Sequence, residues 1–285
     1  MKLAILADIH ANLQALEAVL LDIKKENVDQ VIVNGDLVNR GPSNSAVIEV
    51  LKNEDIALTL GNHDDLLIKW VERSTDLPQE WFTSPFWKAT DWAAQQVQQD
   101  GLLDDLRELP MTHKIELEDA PSLLISHGSP RHYREGYSER ILDDDLIEIA
   151  TQFPADILIG SHTHSQLDRH FANKRVFNTG AVGTPFNRDI RAQYLILHLV
   201  NDEWKPEFKR IRYDQAAALK AFETSGLLEE GGLSAYLFQQ EVKTAHSLFT
   251  PFFMWAEKES VPLTWETWTD FQDAFPERFA AINLD

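Results

Sequence analysis

Short apolar runs closed by polar or glycine-containing clusters recur along most of the chain. Leu3-Ala4-Ile5-Leu6-Ala7 is strand-like and runs directly into Asp8-Ile9-His10, where extended alternation would place Asp8 and His10 on one side. Leu13, Leu16, Val19, Leu20 and Ile23 follow at helical spacing, with Asn12 placed to cap the helix. Val31-Ile32-Val33 is a β-branched run stopped by Asn34-Gly35, with Asp36 just beyond it. After Arg40-Gly41-Pro42, Ser43 is placed to cap a helix bearing Ala46, Val47, Val50 and Leu51, and a third strand, residues 56–60, ends in Gly61-Asn62-His63-Asp64. Strand–helix–strand–helix–strand, with a polar cluster after each strand, predicts parallel βαβ units. Open α/β sheets place their ligands at such strand ends.

Residues 66–110 read as helical and carry Trp70, Trp81, Phe82, Phe86, Trp87 and Trp92, which suit either a small satellite core or a lid beside a site. A strand pair over 112–118 and 122–126 leads to Ser126-His127-Gly128-Ser129-Pro130. An acidic helix over 142–152 precedes a strand, 156–159, that ends in Gly160-Ser161-His162-Thr163-His164. Two strands flank Ala172-Asn173, a glycine-rich loop covers 178–185, and strands over 193–200 and 204–211 close the sheet region. From Tyr213 the pattern is helical, broken at Gly226, Gly231 and Gly232, and its Phe249, Phe252, Phe253, Trp255, Trp265 and Trp268 predict packing against the main body or a partner.

Composition narrows the picture. At 285 residues the chain suits one large α/β domain or two small ones. A net charge of −20 argues against a nucleic-acid polymer as partner, because phosphate binding needs basic patches. The absence of cysteine excludes disulfides, thiolate nucleophiles and cysteine-held zinc. No apolar run reaches bilayer-spanning length, and the N-terminal run reads as a strand rather than a signal segment, so the expectation is a cytoplasmic protein with no membrane partner. The aromatic tail offers a surface for a homodimer.

Five strand ends thus hold Asp8/His10, Asp36, Asn62/His63, His127 and His162/His164. Asp8, His10, Asp36, Asn62, His127, His162 and His164 supply enough oxygen and imidazole donors for two metal ions that share Asp36. Mixed nitrogen and oxygen donors suit manganese, iron, zinc or nickel better than magnesium or calcium. Paired ions roughly 3.5–4 Å apart clamp the attacking and leaving oxygens of a phosphoryl displacement.

Asp-x-His, Gly-Asp, Gly-Asn-His-Asp, His-Gly and His-x-His, in this order over about residues 1–213, resemble the calcineurin-like metallophosphoesterase superfamily. SHGSPR and NTGAVGTP resemble its compact bacterial and archaeal branch, and GDLVNRGP is similar to the branch of diadenosine polyphosphate hydrolases and Ser/Thr phosphatases. The resemblance implies an α/β fold, a four-layer αββα sandwich of two mixed sheets. It would comprise a metallophosphoesterase domain (1–213) with a helical insertion or lid at about 70–110, and a helical extension (214–285).

It also implies that Asp8, His10 and His164 bind one divalent ion, that Asn62, His127 and His162 bind the other, and that Asp36 bridges them, with manganese the first choice of metal. A hydroxide held between the ions would attack the phosphorus of a small phosphomonoester, phosphodiester or nucleotide in line. His63 would protonate the leaving oxygen, with Asp64 orienting its ring, and Arg40 would fork onto phosphate oxygens or else be a surface arginine in a turn. The alternatives are a dinucleoside polyphosphate hydrolase and, in another class, a non-catalytic scaffold on the same fold. Four positions stand out. Ser161 replaces the usual glycine before the first histidine of the last motif, and Asn39 stands where the protein-phosphatase branch has an aspartate. Asn178 is placed either to orient a ligand or to cap its turn, and His132 follows the His-Gly loop within reach of substrate.

Overall fold

The computed structural model of the chain describes residues 1–54 and 56–279. The opening apolar runs form β1 (Lys2–Leu6), β2 (Gln30–Asn34) and β3 (Ile56–Thr59), joined by α1 (Leu13–Glu26) and α2 (Asn44–Lys52). The strands pair in parallel. Asn12 caps α1 by accepting the Ala15 N–H at 3.2 Å, whereas Ser43 precedes α2 without a side-chain cap bond.

The 66–110 segment is built from α3 (Asn62–Val71), two short 3-10 turns, α4 (Lys88–Gln99) and α5 (Leu103–Arg107). A second sheet follows from β4 (Thr112–Leu117), β5 (Ala120–Ser126), β6 (Ile157–Gly160), β7 (Gln166–Phe171) and β8 (Lys174–Thr179), with α6 (Asp143–Gln152) between β5 and β6. The long hairpin of β9 (Ala192–Val200) and β10 (Glu203–Ile211) returns to the first sheet. Four α-helices, α7 (Gln215–Thr224), α8 (Leu227–Thr244, kinked at Gly232), α9 (Phe249–Glu259) and α10 (Trp265–Ala274), and a 3-10 turn (Pro276–Arg278) end the described chain.

The strand orders are β10-β9-β1-β2-β3 and β4-β5-β6-β8-β7, and each sheet mixes parallel and antiparallel pairs. Alternation along β1 stacks the layers: Leu3 and Ile5 face the second sheet, while Ala4 and Leu6 face the helices. The inner layer joins them to Ile32, Leu123, Ile125, Ile159, Phe177 and Leu195. α6 covers the far face of the second sheet with Leu146 and Ile149 over Leu124, Leu158 and Val176. The result is the four-layer αββα sandwich with a C-terminal helical addition.

The helical layer over the first sheet is thicker than the βαβ units alone require. Trp70, Phe86 and Trp87 share one core with Phe238, Phe249 and Phe252 of the C-terminal helices, so the insertion aromatics are not a satellite cluster. Phe86 stacks on Phe249 with ring centroids 4.9 Å apart, and fully burying each such ring contributes about 1.5–3 kcal/mol. Among the described residues no helix is long and apolar enough to cross a membrane.

Candidate metal centre

Hydrogen bonds continue past the paired strands. Asp8 N–H donates to Gly35 O at 3.1 Å, His10 N–H to Asp36 O at 3.0 Å and Ala11 N–H to Leu37 O at 2.9 Å. The loops after β1 and β2 therefore stay in register and bring Asp8, His10 and Asp36 together. Extended alternation is not the reason: Asp8 (φ 53°), His10 (φ 48°) and Asp36 (φ 54°) are left-handed, as are His162 (φ 61°) and His164 (φ 56°). Non-glycine residues in that region cost on the order of 1–3 kcal/mol each, and these five meet at one site.

Two groups form around Asp36, one of Asp8, His10, Asp36 and His164, the other of Asp36, His127 and His162, each with its ligand atoms within 4.8 Å of one another. His127 Nε2 lies 3.2 Å from Asp36 Oδ2 and 3.1 Å from Asn62 Oδ1, which adds Asn62 to the second group. On the other side His10 Nε2 is 3.6 Å from Asp36 Oδ2, and His164 Nε2 is 3.2 Å from both Asp8 Oδ1 and His10 Nε2. The structure thus brings all seven side chains into one neighbourhood.

The donor set fits cations. Asp8 Oδ1 and Asp36 Oδ2 are buried with no hydrogen-bond partner among the described residues, a costly state for a carboxylate unless a positive charge faces it. His127 Nδ1–H donates to Asn34 O at 2.9 Å and His164 Nδ1–H to Thr184 O at 2.5 Å, so each ring turns its Nε2 toward the site, where it can bind a cation once it carries no proton. The protonation balance tells the same story. Burial opposes a charge on His127, but Asp36 and Asp8 outweigh it and push its pKa up to about 10. Burial and the neighbouring His127 hold His162 down to about 4. Burial would raise Asp36, yet His127, His63 and His10 keep it well below the usual carboxylate range. The carboxylates draw positive charge inward, and cations would satisfy the same demand.

Surrounding residues hold the loops. The glycine-rich segment supplies Thr184 and packs on the first loop through Gly183 N–H to Asp8 O at 2.9 Å. Asn178 acts in both of its expected ways: Nδ2 donates to Ser161 O at 2.6 Å and Thr163 Oγ1 at 3.0 Å on either side of His162, and Oδ1 accepts Gly180 N–H at 3.0 Å. Ser161 uses its hydroxyl, accepting from Asn34 Nδ2 and sharing a bond with Thr179 Oγ1, both at 3.0 Å, in a buried polar link between the sheets.

His63 is tethered to the centre, its backbone N–H donating to Asp36 Oδ1 at 2.7 Å and its ring meeting that of His10 edge-on at 4.9 Å. Burial and the nearby Arg40 hold its imidazole well below its ordinary pKa, against the pull of Asp36. Asp64 does not orient this ring. Its oxygens accept the N–H groups of Asp36 and Gly61 (2.9 Å each), Leu37 (2.9 Å) and Val38 (3.3 Å). Consecutive residues on a helix point about 100° apart, so neighbours in sequence at the start of α3 cannot face each other. Asn39 takes that place, with its amide 3.0 Å from His63 Nδ1.

Arg40 is not a surface residue. It is 7% exposed, donates through Nε to His63 Nε2 at 3.3 Å, and pairs through Nη1 with Glu241 Oε2 at 2.7 Å. Glu241 went unread in the sequence, although a glutamate on the stripe of Ser234, Leu237, Phe238 and Val242 is a visible anomaly on a core-facing helix. His132 is exposed, with Nδ1 accepting Arg134 N–H at 3.0 Å.

Comparison with known proteins agrees with this geometry. A metallophosphoesterase structure from Sphaerobacter thermophilus superposes with a TM-score of 0.65 and 26% identity, covering 86% of this chain and 99% of its own. An uncharacterised protein of Methanocaldococcus jannaschii is 25% identical over 227 residues, 74% of this chain and 88% of the relative. A symmetrical bis(5'-nucleosyl)-tetraphosphatase of Salmonella arizonae is 29% identical over 127 residues, 43% of this chain and 41% of its own length. The calcineurin-like phosphoesterase family model matches residues 1–166, the span that carries every donor of the centre, and the chain belongs to that family.

Proposed function

We propose that the chain is a hydrolase of small phosphoesters that uses two divalent cations, one held by Asp8, His10 and His164, the other by Asn62, His127 and His162, with Asp36 shared. The supporting observation is the convergence of both groups on Asp36, beside two buried carboxylate oxygens with no hydrogen-bond partner among the described residues. When bound, such a pair supplies hydroxide near neutral pH and neutralises charge on the phosphoryl oxygens. Manganese, iron, zinc and nickel all suit a donor set that mixes imidazole with oxygen, and the family resemblance makes manganese the first to test.

His63 gives the proton to the leaving oxygen. Both of its ring neighbours are donors, Asn39 at Nδ1 and Arg40 at Nε2, and a neutral imidazole accepts at one nitrogen only. A phosphate oxygen that draws the Arg40 Nε–H away frees His63 Nε2, and the negative charge of the bound phosphate favours the imidazolium, whose Nε2 proton passes to the leaving oxygen and leaves a neutral ring. Arg40 Nη2 has no partner among the described residues and is a second donor for the phosphate. A second reading, cleavage of dinucleoside polyphosphates, is favoured by the GDLVNRGP turn together with the similarity to the Salmonella tetraphosphatase.

The test is turnover of p-nitrophenyl phosphate, its bis ester and diadenosine tetraphosphate with added manganese. At least one is cleaved, Asp36→Ala abolishes turnover, and His63→Ala lowers kcat by about 10²–10⁴-fold. Wild-type rates in both variants overturn the mechanism. A panel left wholly intact by the manganese-loaded protein returns the chain to the scaffold class, and diadenosine tetraphosphate left intact beside cleaved esters removes the second reading alone.

A further inference from the structure

We infer that Glu241, from the C-terminal helices, is a positioning residue of the site: it holds the Arg40 guanidinium against His63, an inference that rests on the phosphoester reading above. Glu241 lies outside the span matched by the family model and is wholly buried. Both of its oxygens are committed. Oε2 accepts from Arg40 Nη1 at 2.7 Å, and Oε1 accepts the N–H groups of Leu248 and Phe249 at 2.7 and 2.9 Å, at the turn into α9. The carboxylate is therefore fixed from behind before it grips the arginine.

Arg40 is fixed on its other sides as well. Its guanidinium carbon lies 5.8, 5.3 and 5.9 Å from the ring centroids of Phe186, Phe238 and Phe249. Phe186 itself stacks on the His164 ring at 4.2 Å, so the same aromatic wall touches a donor of the metal centre. The backbone bends to deliver the side chain there, with Asn39 at φ 67° and Arg40 at φ 68° both left-handed.

A plain structural ion pair is the competing explanation, and stability alone favours it poorly. Two charges taken out of water recover little of their desolvation cost, and an apolar pair of similar volume is commonly as stable. What the pair does supply is direction. With Nη1 held by Glu241, the guanidinium stays beside His63, its Nε–H placed to turn from the ring to an arriving phosphate oxygen and Nη2 left for an anion. A cation oriented in advance lowers the reorganisation needed at the reacting phosphate. The C-terminal helices, on this account, complete the site.

The experiment is a double-mutant cycle on the full-length, manganese-loaded chain with the best ester of the panel. Glu241→Gln keeps an oxygen for the Leu248 and Phe249 amides and turns an NH₂ group toward Arg40. E241Q lowers kcat/KM by about 10- to 100-fold, mainly through kcat, Arg40→Met does the same, and the double variant is no worse than R40M. Manganese stoichiometry by calorimetry stays at the wild-type value in E241Q. In the metal-free chain the ring ¹⁵N signals of His63 move.

Wild-type kcat/KM in E241Q, or losses that multiply in the double variant, overturn the inference and leave the hydrolase reading standing. A wild-type chain that cleaves nothing removes both. Should E241Q fail to fold, Glu241→Asp, which keeps the charge but withdraws it by one methylene, takes its place in the cycle. Collapse of that variant too would make the pair structural and overturn the inference.

Discussion

Asp64 shows how one side chain can serve a site it never faces. Four backbone N–H groups from the turns carrying Asp36 and Asn62 end on its two oxygens, which clamps the end of β2 to the start of α3. Burial, with the charge of Asp36 beside it, pushes its pKa up to about 7, while the N–H groups of Gly61 and Val38 pull it down. Asp64→Asn exchanges an acceptor oxygen for a donor and strands two buried N–H groups at about 1–3 kcal/mol each. Urea unfolding at pH 5 is expected to show D64N less stable by about 2–6 kcal/mol, a gap that narrows toward pH 8 as the wild-type carboxylate ionises against its burial and the charge of Asp36. A loss below 0.5 kcal/mol would mean that water takes over those amides and the clamp is not needed.

At the scale of elements, the ends of β2 and β3 interlock through two glycines. Gly35 sits at φ +76°, and a Cβ there would come 2.7 Å from Gly61 Cα, while a Cβ on Gly61 would come 2.1 Å from Asp36 N and 2.2 Å from Asp36 Oδ1. Gly61→Ala must therefore displace the shared aspartate. The expected result is manganese affinity at least about tenfold weaker by calorimetry, with far-UV dichroism unchanged. Wild-type affinity in G61A would show that Asp36 is not held by this contact.

These turns were readable in the sequence because they are local. Short apolar runs such as β1 and β2 end where the polar cluster begins, and each donor lies within a few residues of a strand end. What could not be read is pairing across distance or around a helix. The sequence pairs His63 with Asp64, but α3 turns them apart and Asn39 takes the ring instead. Glu241 meets Arg40 across 201 positions, and the aromatics of α4 and α9 declare their number but not their partners.

For the molecule as a whole, a net charge of −20 is carried by a fold that also buries Asp8 and Asp36, each with an oxygen that has no hydrogen-bond partner among the described residues. The acidic surface repels itself only weakly in salt, because exposed charges more than about a Debye length apart are screened. The buried pair is shielded far less, so cations at the centre are expected to dominate the molecule's response to metal. A ligand that binds only the folded state stabilises it by about 2.7 kcal/mol at a concentration of 100 Kd and about 4.1 kcal/mol at 1,000 Kd. For a chain of this size each kcal/mol raises Tm by about 2–4 °C. Manganese in that excess should therefore lift Tm by roughly 5–15 °C, and a chelator should reverse it. The insertion and the C-terminal helices share the core that lies over the first sheet, so their signal should move with that of the sheets. Scanning calorimetry, with near-UV dichroism to follow the tryptophans, checks both points. Asp36→Ala is the control, since it removes the shared donor and should abolish the shift. An equal shift in D36A would place the stabilising ions elsewhere on the acidic surface, and no shift in the wild-type chain would mean that the converging donors do not hold metal in solution.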